Sequence, residues 1–182
     1  GGDAFYTGNN GGSNGWALPV AACVALGGND AYESTLKSCQ GAGVFGVGAL
    51  LDCTGDDQYI GIQWCQGIGY LGIGWLRDLD GNDTYRGRSF CQGVGLFGIG
   101  LLIDEAGRDR YEGDVHVQGT GLPGGIGAVI DRAGDDDYYA KGLIPTNYGD
   151  AGIFDAWSQG CGMGFRTIAS GGLGLLLDGG GN

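Results

Sequence analysis

The chain has 182 residues, 44 of them glycine, and its 21 acidic against 9 basic side chains give a net charge of −12. This charge excludes nucleic acid as a natural partner, because no basic surface is available to displace the counterions of phosphate. A hydrophobic content of 42% excludes a disordered tract, and three prolines without glycine at every third position exclude collagen. The sequence contains no run of 18 apolar residues, so it predicts no membrane span.

A repeated unit runs along the whole chain. The motif Gly-x-Asp-x-Tyr begins at Gly28, and a weaker copy with Phe in the last position begins at Gly1. In the five copies from Gly28 onward, a Gln-Gly pair, a Gly-aliphatic-Gly triplet and a closing Asp follow, at nearly constant spacing in the first four and after inserted residues in the fifth. The later copies are separated by 26 or 27 residues and begin at Gly55, Gly81, Gly107 and Gly134. Both ends of the chain fall inside a unit, so we expect residues 1–182 to be one solenoid segment of a longer array.

A period of this length, rich in β-branched and aromatic residues and in turn signals, is typical of one coil of a β-solenoid. Glycine at this density would destabilise a helical repeat by about 1 kcal/mol per residue. We therefore predict an all-β, parallel β-solenoid of about six coils, with 26–27 residues and two main strands per coil. In one coil these strands are residues 84–95 and 97–104. Glycine inside the coil lets two facing sheets approach closely and tolerates positive φ at corners.

The first strand of each coil places identical side chains above one another. Stacked glutamines and tyrosines are register devices in such a fold. A third column contains Cys39, Cys65 and Cys91 and continues with Val117, which indicates a small buried side chain and not a metal cluster. Sequence alone does not decide whether neighbouring cysteines form a disulfide. The two predicted ladders are Gln40, Gln66, Gln92, Gln118 and Gln159, and Tyr32, Tyr59, Tyr85, Tyr111 and Tyr138.

The second strand is apolar on both faces. Leu76 and its equivalents form a uniformly aliphatic column that should face the core. Because successive side chains of a strand point to opposite faces of the sheet, Ile73, Arg77 and the aliphatic residues equivalent to them should point outward. An exposed aliphatic stripe of this kind normally marks an interface. We predict lateral or end-to-end self-association. The alternative is that the inserted loops, or residues outside this segment, cover the stripe.

Two aspartates per coil meet at the corner that follows the second strand. Stacking like charges about 4.8 Å apart costs roughly 1 kcal/mol per neighbouring pair in water and about 3–4 kcal/mol at an effective dielectric near 20. A cation would offset this repulsion, and calcium takes oxygen ligands. The predicted metal ligands are Asp52, Asp57, Asp78, Asp83, Asp104, Asp109, Asp131 and Asp136.

The corner "DLDGNDTYRG", residues 78–87, resembles the glycine/aspartate turns of the RTX calcium-binding β-roll family through Gly81, Asn82, Asp83 and Tyr85. The resemblance covers about six residues per repeat, and a period of 26 instead of 9 means that it does not extend to the roll. It implies calcium held between successive turns by Asp carboxylates and glycine carbonyls.

Two arrangements would make calcium unnecessary. Each Asp could accept hydrogen bonds from turn N–H groups while facing water, as in Asx-turns. Arg108 and Arg110 beside Asp109, and Arg132 beside Asp131, could also neutralise part of the charge.

The fifth coil carries insertions at 140–157 and 163–171. Insertions on one coil of a solenoid are where recognition usually resides, so a partner or glycan site is one interpretation and a cap is the other. The candidate partner-binding residues are Tyr148, Asp150, Phe154, Trp157 and Arg166.

Catalysis receives little support, because the single histidine, His116, occupies an aromatic column and no nucleophile or phosphate-loop motif is present. We expect a non-enzymatic structural protein of an extracellular or cell-surface filament, with calcium as its cofactor. An adhesin-like module that presents residues 140–171 is the alternative. A calcium-dependent polysaccharide-acting β-helix that uses Arg86 or Arg88 is a third.

Overall fold

The computed structural model describes residues 2–14, 18–146, 151–165, 167 and 170–181. These residues form strands, turns and bends without an α-helix and wind into the predicted parallel β-solenoid, with about five turns where about six were predicted. In chain order the strands are β1 (Phe5–Thr7), β2 (Ser13–Asn14), β3 (Val20–Val24), β4 (Ala31–Ser34), β5 (Gly43–Val44), β6 (Val47–Leu51), β7 (Gln58–Gly61), β8 (Gln63–Cys65), β9 (Gly69–Tyr70), β10 (Ile73–Asp78), β11 (Thr84–Arg86), β12 (Ser89–Cys91), β13 (Gly95–Leu96), β14 (Ile99–Asp104), β15 (Arg110–Gly113), β16 (Val115–Val117), β17 (Ile126–Asp131), β18 (Asp137–Ala140), β19 (Ile144–Pro145), β20 (Phe154–Asp155) and β21 (Leu173–Asp178).

Four parallel sheets run along the solenoid, and we name each after the residues that characterise it. The tyrosine sheet has the order β1-β4-β7-β11-β15-β18, and the aliphatic sheet has the order β3-β6-β10-β14-β17-β21. The cysteine sheet contains β8, β12 and β16, and the glycine sheet contains β2, β5, β9 and β13. A two-stranded antiparallel hairpin of β19 and β20 lies within the 140–157 insertion.

The 26-residue period sets the strand register. Tyr85 of β11 pairs with Tyr59 on one side and Tyr111 on the other, and Asp78 at the end of β10 pairs with Asp104. Each repeated residue therefore lies directly above its equivalent, which is the condition for continuous columns of side chains.

The first predicted strand of each coil, residues 84–95, is divided into three short strands in β11, β12 and β13. The break between β12 and β13 begins at a non-glycine residue in the left-handed region, Gln92 (φ 63°), and Phe90 (φ 53°) has the same conformation at the centre of β12. Their equivalents, such as Trp64 and Gln66, share this backbone conformation. Left-handed backbone departs from the extended conformation, so the chain bends at side-chain-bearing residues and not only at glycine.

The core is thin and built from columns. Tyr59, Tyr85 and their equivalents pack against Leu76, Leu102 and their equivalents, and these four side chains are fully buried. The predicted close approach of glycine to the opposite backbone is present where the glycine and aliphatic sheets meet. A Cβ on Gly74 would lie 1.8 Å from the carbonyl oxygen of Ile68, so only hydrogen fits at this position.

The glutamine and tyrosine columns connect neighbouring coils in different ways. Gln92 Nε2 donates to the carbonyl oxygen of Tyr85 in its own coil and of Glu112 in the next, so the link runs through the backbone and not from amide to amide. The rings of Tyr59 and Tyr85 stack with centroids 4.8 Å apart and planes 4° from parallel. Gln40, Gln66 and Gln118 bond in the same way as Gln92, Gln159 keeps only the bond to the carbonyl oxygen of Tyr138, and the stack extends over Tyr32, Tyr111 and Tyr138.

Candidate metal centre

Two columns of aspartate lie inside the corner that joins the aliphatic sheet to the tyrosine sheet. The first, which we call the end column, closes the aliphatic strands and contains Asp52, Asp78, Asp104 and Asp131. Asp78 lies two residues after the buried Leu76, so strand alternation points its side chain inward as well. The second, which we call the turn column, opens the tyrosine strands and contains Asp57, Asp83, Asp109 and Asp136. All members of both columns are buried except Asp136, which is partly exposed.

Each carboxylate of the turn column accepts a hydrogen bond from a backbone N–H group of the neighbouring coil. Oδ1 of Asp83 accepts a hydrogen bond from the backbone N–H of Asp57 in the preceding coil at 2.7 Å, and Oδ1 of Asp109 accepts one from Asp83 at 2.7 Å. Asp57 and Asp136 bond in the same way to the backbone of Asp30 and Asp109. These aspartates do accept N–H groups, but the donors belong to the neighbouring coil and the carboxylates do not face water.

The end column accepts hydrogen bonds from the tyrosine stack. The hydroxyl of Tyr59 donates to Oδ2 of Asp78 at 2.5 Å, and the hydroxyl of Tyr85 donates to Oδ2 of Asp104 at 2.6 Å. A short O–H to carboxylate bond of this kind is among the stronger hydrogen bonds in proteins. The same contact joins Tyr32 to Asp52, while Tyr111 and Tyr138 both donate to Asp131.

The two columns meet in three groups of three carboxylates. Within each group one oxygen per residue lies within 4.8 Å of the others. The groups are Asp57, Asp78 and Asp83; Asp83, Asp104 and Asp109; and Asp109, Asp131 and Asp136. Asp52 is buried in the end column but belongs to none of these groups. The clusters of buried aspartate could therefore hold a metal ion.

One oxygen of each turn-column carboxylate accepts no hydrogen bond from any described residue. These atoms are Oδ2 of Asp57, Asp83, Asp109 and Asp136. A buried carboxylate oxygen without a partner costs about 1–3 kcal/mol or more. A proton shared between neighbouring carboxyl groups, a buried water or a cation between them would satisfy these oxygens.

Burial strongly raises the pKa of these carboxyl groups. The pKa of Asp57 rises to about 8 and that of Asp83 to about 10, chiefly because burial disfavours the charged form. Burial also raises the pKa of Asp104 to about 9, and the neighbouring charge of Asp109 adds to this effect. Part of the column consequently retains protons at neutral pH when no cation is bound.

The arginines near the corner pair with other acids. Arg110 forms an ion pair with Glu112, and Arg132 forms one with Glu105, while Arg108 is exposed. The predicted neutralisation of the aspartate columns by these side chains is therefore wrong for Arg110 and Arg132. Both arginines extend along the outer surface, whereas the carboxylates lie inside the coil.

A second ladder at the same corner has no counterpart in the sequence prediction. The backbone N–H of Asn82 donates to Oδ1 of Asp56 at 2.9 Å, and that of Asp56 donates to Oδ1 of Asn29 at 3.0 Å. Oδ1 of Asn82 accepts in turn from the N–H of Arg108. The Asn or Asp that precedes Asp57, Asp83 and Asp136 is the signal that could have revealed this exposed ladder; Arg108 takes this position before Asp109.

Of the five candidate partner-binding residues, the structure describes Phe154 and Trp157. Phe154 lies in β20 of the hairpin and is 51% exposed. Trp157 stacks on His116, with centroids 5.5 Å apart, and so extends the aromatic column through Phe90 and Trp64. Tyr148, Asp150 and Arg166 lie outside the described residues.

Comparison of the chain with protein-family models, curated proteins and solved structures finds no match. In the part of the chain that the structure describes, no helix has the length and apolar character needed to cross a membrane.

Proposed function

We propose that this chain is a non-enzymatic structural solenoid of an extracellular or cell-surface filament, and that copies associate through the outer face of the aliphatic sheet. The observation that carries the proposal is the composition of that face. Three side chains per strand point outward, and among those of the described residues only Arg77 is charged. Ile73 and Ile126 remain 43% and 42% exposed although they lie on inner strands of the sheet.

The size of the face is adequate for association. Six strands about 4.8 Å apart, each five or six residues long at about 3.3 Å per residue, present about 550 Å². Two such faces together would bury about 1,100 Å², close to the lower limit of a stable protein–protein interface. A face of this size lies at the upper end of the largest apolar patches that monomeric proteins expose, and such patches are often functional.

The core carboxylates support calcium as the stabilising ion. All donors in the three groups are oxygen atoms, which suits a hard cation. Magnesium demands octahedral geometry and usually retains several waters, whereas calcium accepts irregular sets of carboxylates. The sites lie inside a closed coil, where Asp78 and Asp104 are fully buried, so an ion that keeps its waters would fit poorly. Calcium would neutralise the columns and join neighbouring coils.

A structural role is also consistent with the position of the titratable groups. His116 is stacked between Phe90 and Trp157, and burial lowers its pKa. The perturbed aspartates lie in the core, beyond the reach of a dissolved substrate. Neither set resembles the exposed acid and base pair that hydrolysis of a polysaccharide requires.

The experiment that tests the proposed assembly is sedimentation velocity of three proteins. The double variant Ile73→Lys/Ile126→Lys places two charges on the aliphatic face, and Ile62→Lys adds one at a site of similar exposure (40%) outside that sheet. We expect the wild type and Ile62→Lys to form oligomers at micromolar concentration and the double variant to be monomeric. A monomeric wild type, or oligomers of all three proteins, would overturn the proposal.

A monomer would favour the second candidate, a binding module. The hairpin and the cysteine sheet border a groove of about 470 Å³ that combines apolar side chains with one arginine. Among its lining residues are Arg88, Phe90, His116, Leu143 and Ile144. A groove of this size accommodates a small ligand such as a glycan unit.

A further inference from the structure

The cysteine sheet places two thiols in direct register. Cys91 of β12 pairs with Cys65 of β8 across neighbouring coils, and both side chains are fully buried. Cys39 occupies the equivalent position one coil earlier, and Val117 takes it one coil later. The structure holds all six cysteines of the chain as thiols.

The two sulfur atoms are unusually close. Sγ of Cys65 and Sγ of Cys91 are 3.0 Å apart, whereas even carbon atoms in van der Waals contact are separated by about 3.5–4.0 Å. Strands in adjacent coils bring paired Cα atoms to about 4.8 Å, within the 4.4–6.8 Å range of disulfides. Closing the remaining distance requires an approach of about 1 Å by the two sulfurs, because a disulfide bond is about 2.05 Å long.

Glycine provides the space that the sulfurs occupy. A Cβ on Gly61 would lie 2.3 Å from Sγ of Cys65, and a Cβ on Gly87 would lie 2.7 Å from Sγ of Cys91. The coil that has Val117 in this column keeps the arrangement, because a Cβ on Gly113 would lie 2.6 Å from a Val117 methyl group. Each position therefore accepts a side chain of the size of cysteine or valine.

We infer that Cys65 and Cys91 form a disulfide that joins the third and fourth coils. In this step the two thiols lose two protons and two electrons as the S–S bond forms. The electrons and protons pass to a small disulfide such as oxidised glutathione, which is reduced to two thiols. Oxidation takes place before the coils close, because both sulfurs are inaccessible in the folded solenoid.

Two pairings are possible in this column, because a disulfide can form between Cys65 and only one neighbour. Sγ of Cys39 donates to the carbonyl oxygen of Leu36 at 3.6 Å, and its thiol also bonds to Cys65 and Ser34. Sγ of Cys91 donates to the carbonyl oxygen of Ser89 at 3.1 Å, so both neighbours have partners in their own coils. The separation of only 3.0 Å between the sulfurs of Cys65 and Cys91 favours Cys91 as the partner.

Tryptic mapping separates the two pairings. Cys39, Cys53 and Cys65 all lie on the peptide between Lys37 and Arg77, and Cys91 lies on the peptide between Arg88 and Arg108. A Cys65–Cys91 bond joins two peptides, whereas a Cys39–Cys65 bond only closes a loop within one.

The experiment uses the full chain refolded in a glutathione redox buffer, alkylated under denaturing conditions and digested without reduction. We expect four alkylated cysteines and the two peptides joined, both in the wild type and in Cys39→Ser. Cys91→Val, which copies the residue at position 117, should lose the joined peptides while remaining folded. The wild type should unfold at a temperature roughly 5–10 °C higher when oxidised than when reduced. Six alkylated cysteines, or a different linked pair, would overturn the inference.

Discussion

Tyr85 donates its hydroxyl hydrogen to Oδ2 of Asp104 across 2.6 Å while its ring stacks between Tyr59 and Tyr111. One side chain thus links the tyrosine sheet to the aliphatic sheet and provides a donor for a buried carboxylate. The tyrosine column is therefore part of the electrostatics of the core as well as a means of keeping the coils in register.

Replacing Tyr85 with Phe should destabilise the protein by about 1–3 kcal/mol, because a buried acceptor loses its donor while the ring stack is preserved. Urea denaturation monitored by circular dichroism measures the free energy of unfolding. Tyr139→Phe is the matched control, since its side chain is 58% exposed on the outside of the same sheet. Equal stability of the two variants would contradict a role for the hydroxyl.

The metal-free protein should lose stability as the pH rises. The carboxyl groups of Asp57 and Asp83 have ordinary pKa values near 4 when the chain is unfolded, and burial raises their pKa in the folded state to about 8 and about 10. Between the unfolded and the folded pKa values, the folded state binds more protons than the unfolded state. The stability that is present below pH 4 is therefore lost progressively as the pH rises through the folded pKa values.

We expect the unfolding temperature measured in a chelator to fall between pH 5 and pH 9. Excess calcium should reverse the slope, because binding displaces the protons of the same carboxyl groups. An unfolding temperature that rises with pH in chelator would show that the buried carboxyl groups are not protonated in the folded state.

Calcium stoichiometry should follow the composition of the three carboxylate groups. Asp83 belongs to two groups and Asp136 to one, so isothermal titration should give up to three ions for the wild type, two for Asp136→Asn and one for Asp83→Asn. Asp80→Asn changes an exposed aspartate at the same corner and should leave the number unchanged. Equal numbers for Asp80→Asn and Asp83→Asn would place any calcium outside the core.

Asp83→Asn should also stabilise the protein in chelator. Its amide keeps the Oδ1 acceptor for the N–H of Asp57 and removes a carboxyl group that is costly to ionise. The gain disappears when calcium is added, because the wild type then gains stability that the variant lacks. A variant that is less stable than the wild type in chelator would oppose this account.

Gln92→Met should cost about 2 kcal/mol or more, because the carbonyl oxygens of Tyr85 and Glu112 both lose a buried donor. The substitution preserves side-chain length and retains the strained left-handed backbone at position 92. Gln58→Met, on the exposed outer face of the tyrosine sheet, is the control and should change the free energy of unfolding by less than about 0.5 kcal/mol. Urea denaturation compares the two.

The sequence contained enough information to predict the coils, because a fixed period places Tyr59 beside Tyr85 and Asp78 beside Asp104. It also contained an unused signal for the burial of the end column. Leu76 and Asp78 are two residues apart in one strand, so an inward Leu76 requires an inward Asp78. The left-handed conformation of Phe90 and Gln92 could not be predicted, because neither residue type favours it locally. In that conformation Gln92 bonds to carbonyl oxygens of its own coil and of the next.

The stacking of near-identical coils has a mechanical consequence. Each tyrosine strand pairs only with its equivalents 26 or 27 residues away, so a force applied along the solenoid axis should peel away one coil at a time. A released coil adds about 90 Å of extended chain. Single-molecule stretching should therefore record a sawtooth of nearly equal steps. An intact Cys65–Cys91 bond would remove one step from that series, and reduction would restore it.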